Sequence, residues 1–145
     1  MAIFTSFDIS SSGMSAQRLR SDIIAQNLAN VNSTSSQDGG AYRRKTVVFQ
    51  EKDATAFSDI LLSTAGTVGT GVKITRIVED HETPMNMVYD PSHPDADENG
   101  YVQYPNVNVV TEMTNLIDAS RSYEANVTAF NASKSMALKG LEIGK

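Results

Sequence analysis

A chain of 145 residues is enough for one domain, or for one small domain plus extended helices, and a content of 40% hydrophobic and 7% aromatic residues supports only a modest core. Seventeen acidic against twelve basic residues give a net charge of −5, which argues against phosphate-backbone binding and so against nucleic acid as a partner. Cysteine is absent, which excludes disulfides and thiolate metal sites. No run approaches the roughly 18 apolar residues of a membrane span, so direct membrane insertion is not expected.

The opening residues, Met1-Ala2-Ile3-Phe4-Thr5-Ser6-Phe7-Asp8, carry neither a positive leader nor an apolar block before a small-residue cleavage site, so no cleaved secretory signal is expected. Residues 12–31 read as a first helix. Ala16, Leu19 and Ile23 share one face, and Ile24, Leu28 and Val31 widen it. The serines at 10–12 are candidate N-caps, and the helix is expected to fail between Asn30 and Asn32. Residues 33–40, STSSQDGG, have no apolar side chain to bury and read as a mobile loop.

The middle of the chain changes character. Residues 42–50 and 71–79 are rich in β-branched and aromatic side chains and read as strands, with residues 54–62 as a short helix or flexible loop between them. Further strands are expected at 85–89 and 101–104, separated by the turn-forming Asp90-Pro91-Ser92-His93-Pro94. The basic run Tyr42-Arg43-Arg44-Lys45 is either a charged strand end or a contact with an acidic neighbour, the strand end being favoured.

Pro105 and the potential caps Asn106 and Asn108 then open a long helix that Gly140 and Gly144 fray. Within it, Val109, Met113, Leu116, Ser120, Tyr123, Val127, Phe130, Lys134, Ala137 and Leu141 alternate in steps of four and three. This heptad stripe keeps one face turned to a partner helix over roughly 50 Å, longer than the remaining residues alone can cover. It points to assembly rather than catalysis. Ser120 and Lys134 are polar members of the stripe and candidates for fixing register or facing a channel, although Lys134 can also snorkel to water. The fold class expected is α+β: long N- and C-terminal helices paired as a coiled-coil-like stem (residues 1–32 and 105–145), with a small β-rich outer domain (33–104) between them.

Chemistry-bearing motifs are sparse. Asp95-Ala96-Asp97-Glu98-Asn99-Gly100 matches the first half of a calcium loop, but the twelfth position is Asn106 instead of a bidentate glutamate, and prolines flank it. A solvated acidic turn is the better reading. There is no G-x-S-x-G, no phosphate-cradling glycine loop and no pair of histidines on one face, so no enzyme, cofactor or metal site is expected.

Residues 12–32, SGMSAQRLRSDIIAQNLANVN, resemble the N-terminal signature of bacterial flagellar basal-body rod and hook proteins. Residues 106–117, NVNVVTEMTNLI, with 121–126, RSYEAN, resemble the partner signature of the same family. Between them, YDPSHPDAD at 89–97 and GYV at 100–102 are similar to a segment that marks one proximal-rod member. Asp90, Pro91, His93, Pro94, Asp95, Asp97, Gly100 and Tyr101 carry that likeness.

The resemblance implies a structural subunit in the rod that crosses the periplasm, polymerising into a hollow shaft that transmits torque and passes exported subunits. Its partners would be copies of itself, proximal and distal rod proteins, a rod-to-ring adaptor and the flagellar type III export apparatus. The assembly interface expected comprises Leu19, Ile23 and Leu28 of the first helix and Val109, Met113, Leu116, Tyr123, Val127, Phe130 and Leu141 of the last. The alternatives are another rod or hook-type axial component, or a soluble coiled-coil adaptor of the export system.

Overall fold

The computed structural model describes residues 2–36, 39–52 and 69–143. The expected element at 54–62 lies outside the described residues. In chain order the elements are α1 (Ala2–Ala29), β1 (Lys45–Glu51), β2 (Val72–Glu79), β3 (Asn86–Tyr89), β4 (Tyr101–Tyr104) and α2 (Val109–Ile143). Two long helices therefore flank a small strand region, an α+β arrangement as the sequence pattern predicts.

Helix α1 begins ten residues before its expected start. The serines that look like caps are instead absorbed: Ser10 is buried, and the Ser12 hydroxyl donates to Ile9 O at 2.8 Å. A serine whose hydroxyl bonds back to the preceding turn no longer competes with the helix backbone, so the helix runs through. The helix stops as expected at Ala29, followed by a turn over residues 30–32. Helix α2 carries 35 residues, about 50 Å at 1.5 Å per residue. Asn108 caps it, its Oδ1 accepting from Thr111 N at 3.2 Å and its carbonyl from Glu112 N at 2.9 Å. The other asparagine, Asn106, is no cap; it is buried and tied elsewhere, as described below. Gly140 lies within the helix and does not end it.

Strands β1 and β2 form one two-stranded sheet and β3 and β4 another. Lys52 N donates to Gly71 O and Asp80 N to Arg44 O, each at 2.8 Å, so the partners of β1 and β2 run in opposite directions. In the second sheet Asn86 faces Tyr104, Met87 faces Gln103, Val88 faces Val102 and Tyr89 faces Tyr101, antiparallel. By period-two alternation, Met87, Tyr89, Tyr101 and Gln103 share one face of this ribbon, and Val102, fully buried, lies on the other.

Two compact units are resolved. The first comprises residues 1–19, 48–76 and 119–145. Inside it the Phe7 and Phe130 rings meet at 4.9 Å between centroids, and Gly13 admits the Asn126 side chain so closely that a Cβ there would lie 2.7 Å from Asn126 Oδ1. Gly71, at φ +103°, passes against Ser12, whose Oγ accepts from Val72 N at 3.1 Å and so anchors the start of β2.

The second unit comprises residues 20–47 and 77–118. Its apolar core is small: Ile23, Ile24, Tyr42, Val102 and Val107 are buried. The serine-rich segment expected to be mobile is tied down on both sides of the undescribed residues 37 and 38. Ser33 Oγ donates to Asn30 Oδ1, Thr34 Oγ1 donates to Asp95 Oδ2 at 2.8 Å, and Tyr42 N donates to Ser33 O at 3.1 Å.

Candidate assembly interface

The second unit is organised around a buried polar node rather than an apolar one. Glu112 is fully buried in the first turn of α2. Its Oε1 accepts from Arg44 Nη2 at 2.8 Å and Arg44 Nε at 2.9 Å, and its Oε2 accepts from Asn27 Nδ2 at 2.9 Å. Asn27, also fully buried, uses its whole hydrogen-bonding capacity. Its amide donates to Glu112 and to Lys45 O, while its Oδ1 accepts from Tyr42 OH and Lys45 N, all within 2.8–2.9 Å. Burial, and then the carboxylates of Glu79 and Glu112, raise the Tyr42 hydroxyl above its usual pKa, which keeps it a donor.

Asn106 closes the adjoining corner. Its Oδ1 accepts from Arg44 N at 2.9 Å, and its amide donates to Asp80 O and Thr83 O. Asp80 in turn accepts from the backbone N–H and hydroxyl of Thr83, which hold its carboxyl below the usual range, and it lies 3.9 Å from Arg44. The basic run at 42–45 is thus a contact with acidic neighbours more than a free strand end. Asn27, Arg44, Asn106 and Glu112 were all missed as site residues by pattern reading. The available signal was Glu112 itself, a carboxylate in the first turn of a helix otherwise lined with valine and methionine.

The acidic half-motif serves the β3–β4 turn. Asp97 Oδ1 accepts from Asn99 N at 2.9 Å and Tyr101 N at 2.8 Å, and Asp90 Oδ1 accepts from the Ser92 hydroxyl and N–H. The two Ser92 bonds lower the Asp90 carboxyl below its ordinary range. His93 accepts at Nδ1 from Asp95 N at 3.1 Å, and its ring lies against Tyr104. Gly100 sits at φ +80°, where a Cβ would press on Tyr89 and Pro91.

The stripe on α2 is divided by the structure. The inward positions recur at Glu112, Ala119 and Asn126, each seven residues on, accompanied by Leu116, Val127, Phe130 and Ala137, which are half-buried. Val109, Met113, Ser120, Tyr123, Lys134 and Leu141 are exposed. On α1, Ile23 is buried and Leu19 and Leu28 are half-buried. The structure therefore brings about half of the expected interface residues into intrachain contact and leaves the rest facing out. Beside them, Val110 and Ile117, outside the predicted stripe, are also open: Val110 is 75% exposed, Met113 55% and Ile117 54%. Their spacing of three and four makes them one continuous apolar line. No helix among the described residues is long and apolar enough to cross a membrane.

Residues 7–35 match the family described as "Flagella basal body rod protein", and residues 98–143 match "Flagellar basal body rod FlgEFG protein C-terminal". A Bacillus subtilis flagellar basal-body rod protein FlgC is 47% identical over 152 residues, covering all of both chains. The chain belongs to the flagellar basal-body rod protein family. The FlgC proteins of Salmonella typhimurium, 44% identical over all of both chains, and of Borreliella burgdorferi, 42% identical over 99% of this chain and 98% of its own, are similar throughout. The chain is accordingly a structural subunit of the proximal rod in the flagellar basal body, where it assembles with other rod components. The two signature segments coincide with the two sides of the polar node: Asn27 lies in the first and Asn106 and Glu112 lie in the second.

Proposed function

We propose that the chain polymerises through its terminal helices into a hollow shaft that transmits torque and passes exported subunits, and that it carries no chemistry of its own. The observation that carries this reading is the exposed apolar line Val110, Met113 and Ile117. Covering side chains of this size stabilises a contact by about 1–2 kcal/mol each, and a contiguous apolar patch on one helix is the mark of a partner surface. Residues 1–32 and 105–145 form the stem in this reading, and 33–104 the outer part. Leu19, Ile23, Leu28, Leu116, Val127 and Phe130 close the stem within one chain, while Val109, Met113, Tyr123 and Leu141 meet neighbouring subunits, with Ser120 and Lys134 setting register or facing the channel.

The partners are copies of the chain, other proximal and distal rod proteins and the rod-to-ring adaptor, delivered by the flagellar type III export apparatus. Repeated heterologous contacts that do not close on themselves generate a helical tube. The uncovered ends of the stem gain order as neighbours bury them, so folding and addition to the rod are coupled.

The test replaces two exposed residues that have no role inside the chain. Met113→Asp combined with Ile117→Asp, expressed in cells lacking the native gene, should give exported protein but no rods in electron micrographs of basal bodies. Normal rods would refute the assignment of this face to assembly.

A further inference from the structure

The two compact units differ sharply in charge. Residues 20–47 and 77–118 hold eleven acidic and four basic residues, a net −7, whereas residues 1–19, 48–76 and 119–145 hold six acidic and eight basic residues, a net +2. The acidic excess includes Asp90, Asp95, Asp97 and Glu98, all within the turn joining β3 to β4. This turn is a firm platform: Asp90 N donates to Gly100 O and Gly100 N to Asp97 O, each at 2.9 Å, and Asp97 is fixed by two further backbone donors.

Beside the acidic tip stands an uncovered aromatic pair. Tyr89 and Tyr101 are opposed across the ribbon with ring centroids 5.3 Å apart, edge to face, and Met87 shares their side of the sheet. Tyr89 is 64%, Met87 51% and Tyr101 43% exposed. Two aromatic faces flanked by carboxylates suit a particular partner, a helix presenting leucines and a lysine whose stem packs on the rings and whose ammonium meets the acids.

The chain itself carries such a helix end. Lys134, Leu138 and Leu141 are spaced i, i+4 and i+7 on α2, hence on one face, and all three are exposed, while Glu142 and Lys139 lie further round the helix. We propose that the β3–β4 ribbon of one copy seats on the 134–141 stretch of α2 in a second copy, Tyr89 and Tyr101 covering Leu138 and Leu141 while Asp95 and Glu98 face Lys134. Both sides of the contact belong to every copy but are different surfaces, so the contact is heterologous and propagates. Opposite charges on the two surfaces steer successive copies together and penalise like-to-like docking. This inference rests on the reading of the chain as a polymerising rod subunit and names one contact of that polymer.

The experiment is a charge exchange in cells lacking the native gene, with rods counted in basal-body micrographs and exported protein measured in parallel. K134E alone and D95K/E98K alone should each lower rod number by about tenfold or more while export persists. Two combinations should restore rods to within about twofold of wild type: the three substitutions in one chain, and co-expression of the two separately defective chains, because each then offers the charge the other lacks. Unaffected rods in either single reversal overturn the proposal. Loss without restoration in both combinations also overturns it, whether the cause is a different axial partner or damage to the chain. If the wild-type gene itself restores no rods, the rod-subunit reading falls and the contact falls with it.

Discussion

Replacing Arg44 with methionine strands the Glu112 carboxylate. Glu112 is fully buried and takes two charge-assisted bonds from Arg44 at 2.8 and 2.9 Å. After the substitution, only the amides of Asn27 at 2.9 Å and Asn115 at 3.3 Å remain to it. Breaking a buried pair from one side costs about 3–5 kcal/mol because the surviving charge stays desolvated. The Arg44 side chain is 25% exposed, so water reaches the vacated position and the lower end, about 3 kcal/mol, is expected. The weaker approach of Arg44 to Asp80 at 3.9 Å adds little. Arg44→Met combined with Glu112→Met removes both charges and should recover most of the loss, since an apolar replacement of a buried pair is often neutral.

Tyrosine emission reports this unit well, because tryptophan is absent and Tyr42, Tyr89, Tyr101 and Tyr104 all lie within residues 20–47 and 77–118. Urea unfolding of the purified chain followed by that signal gives the midpoint and slope directly. A cost below about 1 kcal/mol for Arg44→Met, or a double variant no more stable than the single one, would show that Glu112 is not held as a buried ion and would refute the account of the node.

Other consequences can be checked alongside. Met113→Asp with Ile117→Asp should leave the urea-derived unfolding free energy of the isolated chain within about 0.5 kcal/mol, since both residues are exposed, so that its loss of rods cannot be blamed on folding. Gly100→Ala forces an L-residue to φ +80° and a Cβ to 3.0 Å from Tyr89, and should lower the same free energy by about 1–3 kcal/mol. Asp80 and Asp90 have folded pKa values below their unfolded ones, so they contribute stability above about pH 4 that disappears as pH falls through the folded values. Asp80→Asn and Asp90→Asn should each flatten that acid limb of a stability–pH curve. Tyr42 behaves oppositely: its raised value keeps its contribution intact below about pH 10 and loses it as pH climbs through the folded value, an alkaline limb that Tyr42→Phe should remove.

The helices were legible because their periodicity persists for many turns, and the strands because valine, isoleucine and tyrosine cluster between turn residues. The strands at 71–79, 85–89 and 101–104 fall within one residue of their predicted bounds. The start of α1 was not legible, because Ser10 and Ser12 signal a cap locally while their actual partners include Val72 N, some 60 residues away. The node escaped for a related reason. Asn27 sits unremarked inside a helical pattern and Asn106 looks like a cap, yet Asn27 is consumed by Lys45, Tyr42 and Glu112 and Asn106 by backbone groups of Arg44, Asp80 and Thr83. A side chain's distant partners are set by topology, which local spacing does not encode.

The division of the α2 stripe carries a more general point. The heptad pattern assigns Val109, Met113, Leu116, Tyr123, Val127, Phe130 and Leu141 to a single assembly stripe, but here Glu112, Ala119 and Asn126 take the inward column beside the half-buried Leu116, Val127 and Phe130, while Met113, Ile117 and Val110 face out. A polar inward column is weakly adhesive and strongly selective. Asn27 accepts one register only, because a shift by one turn would leave its four hydrogen bonds and the Glu112 charge unmet. The apolar outward line has the reverse character: it gains from any sufficiently complementary neighbour. A subunit built this way fixes its internal geometry with hydrogen bonds and leaves its hydrophobic driving force for assembly. Exchanging both members of the ion pair for apolar residues, as in Arg44→Met with Glu112→Met, should therefore hold the isolated chain near its original stability while permitting alternative helix registers and poorer incorporation, which rod counts set beside urea unfolding would reveal.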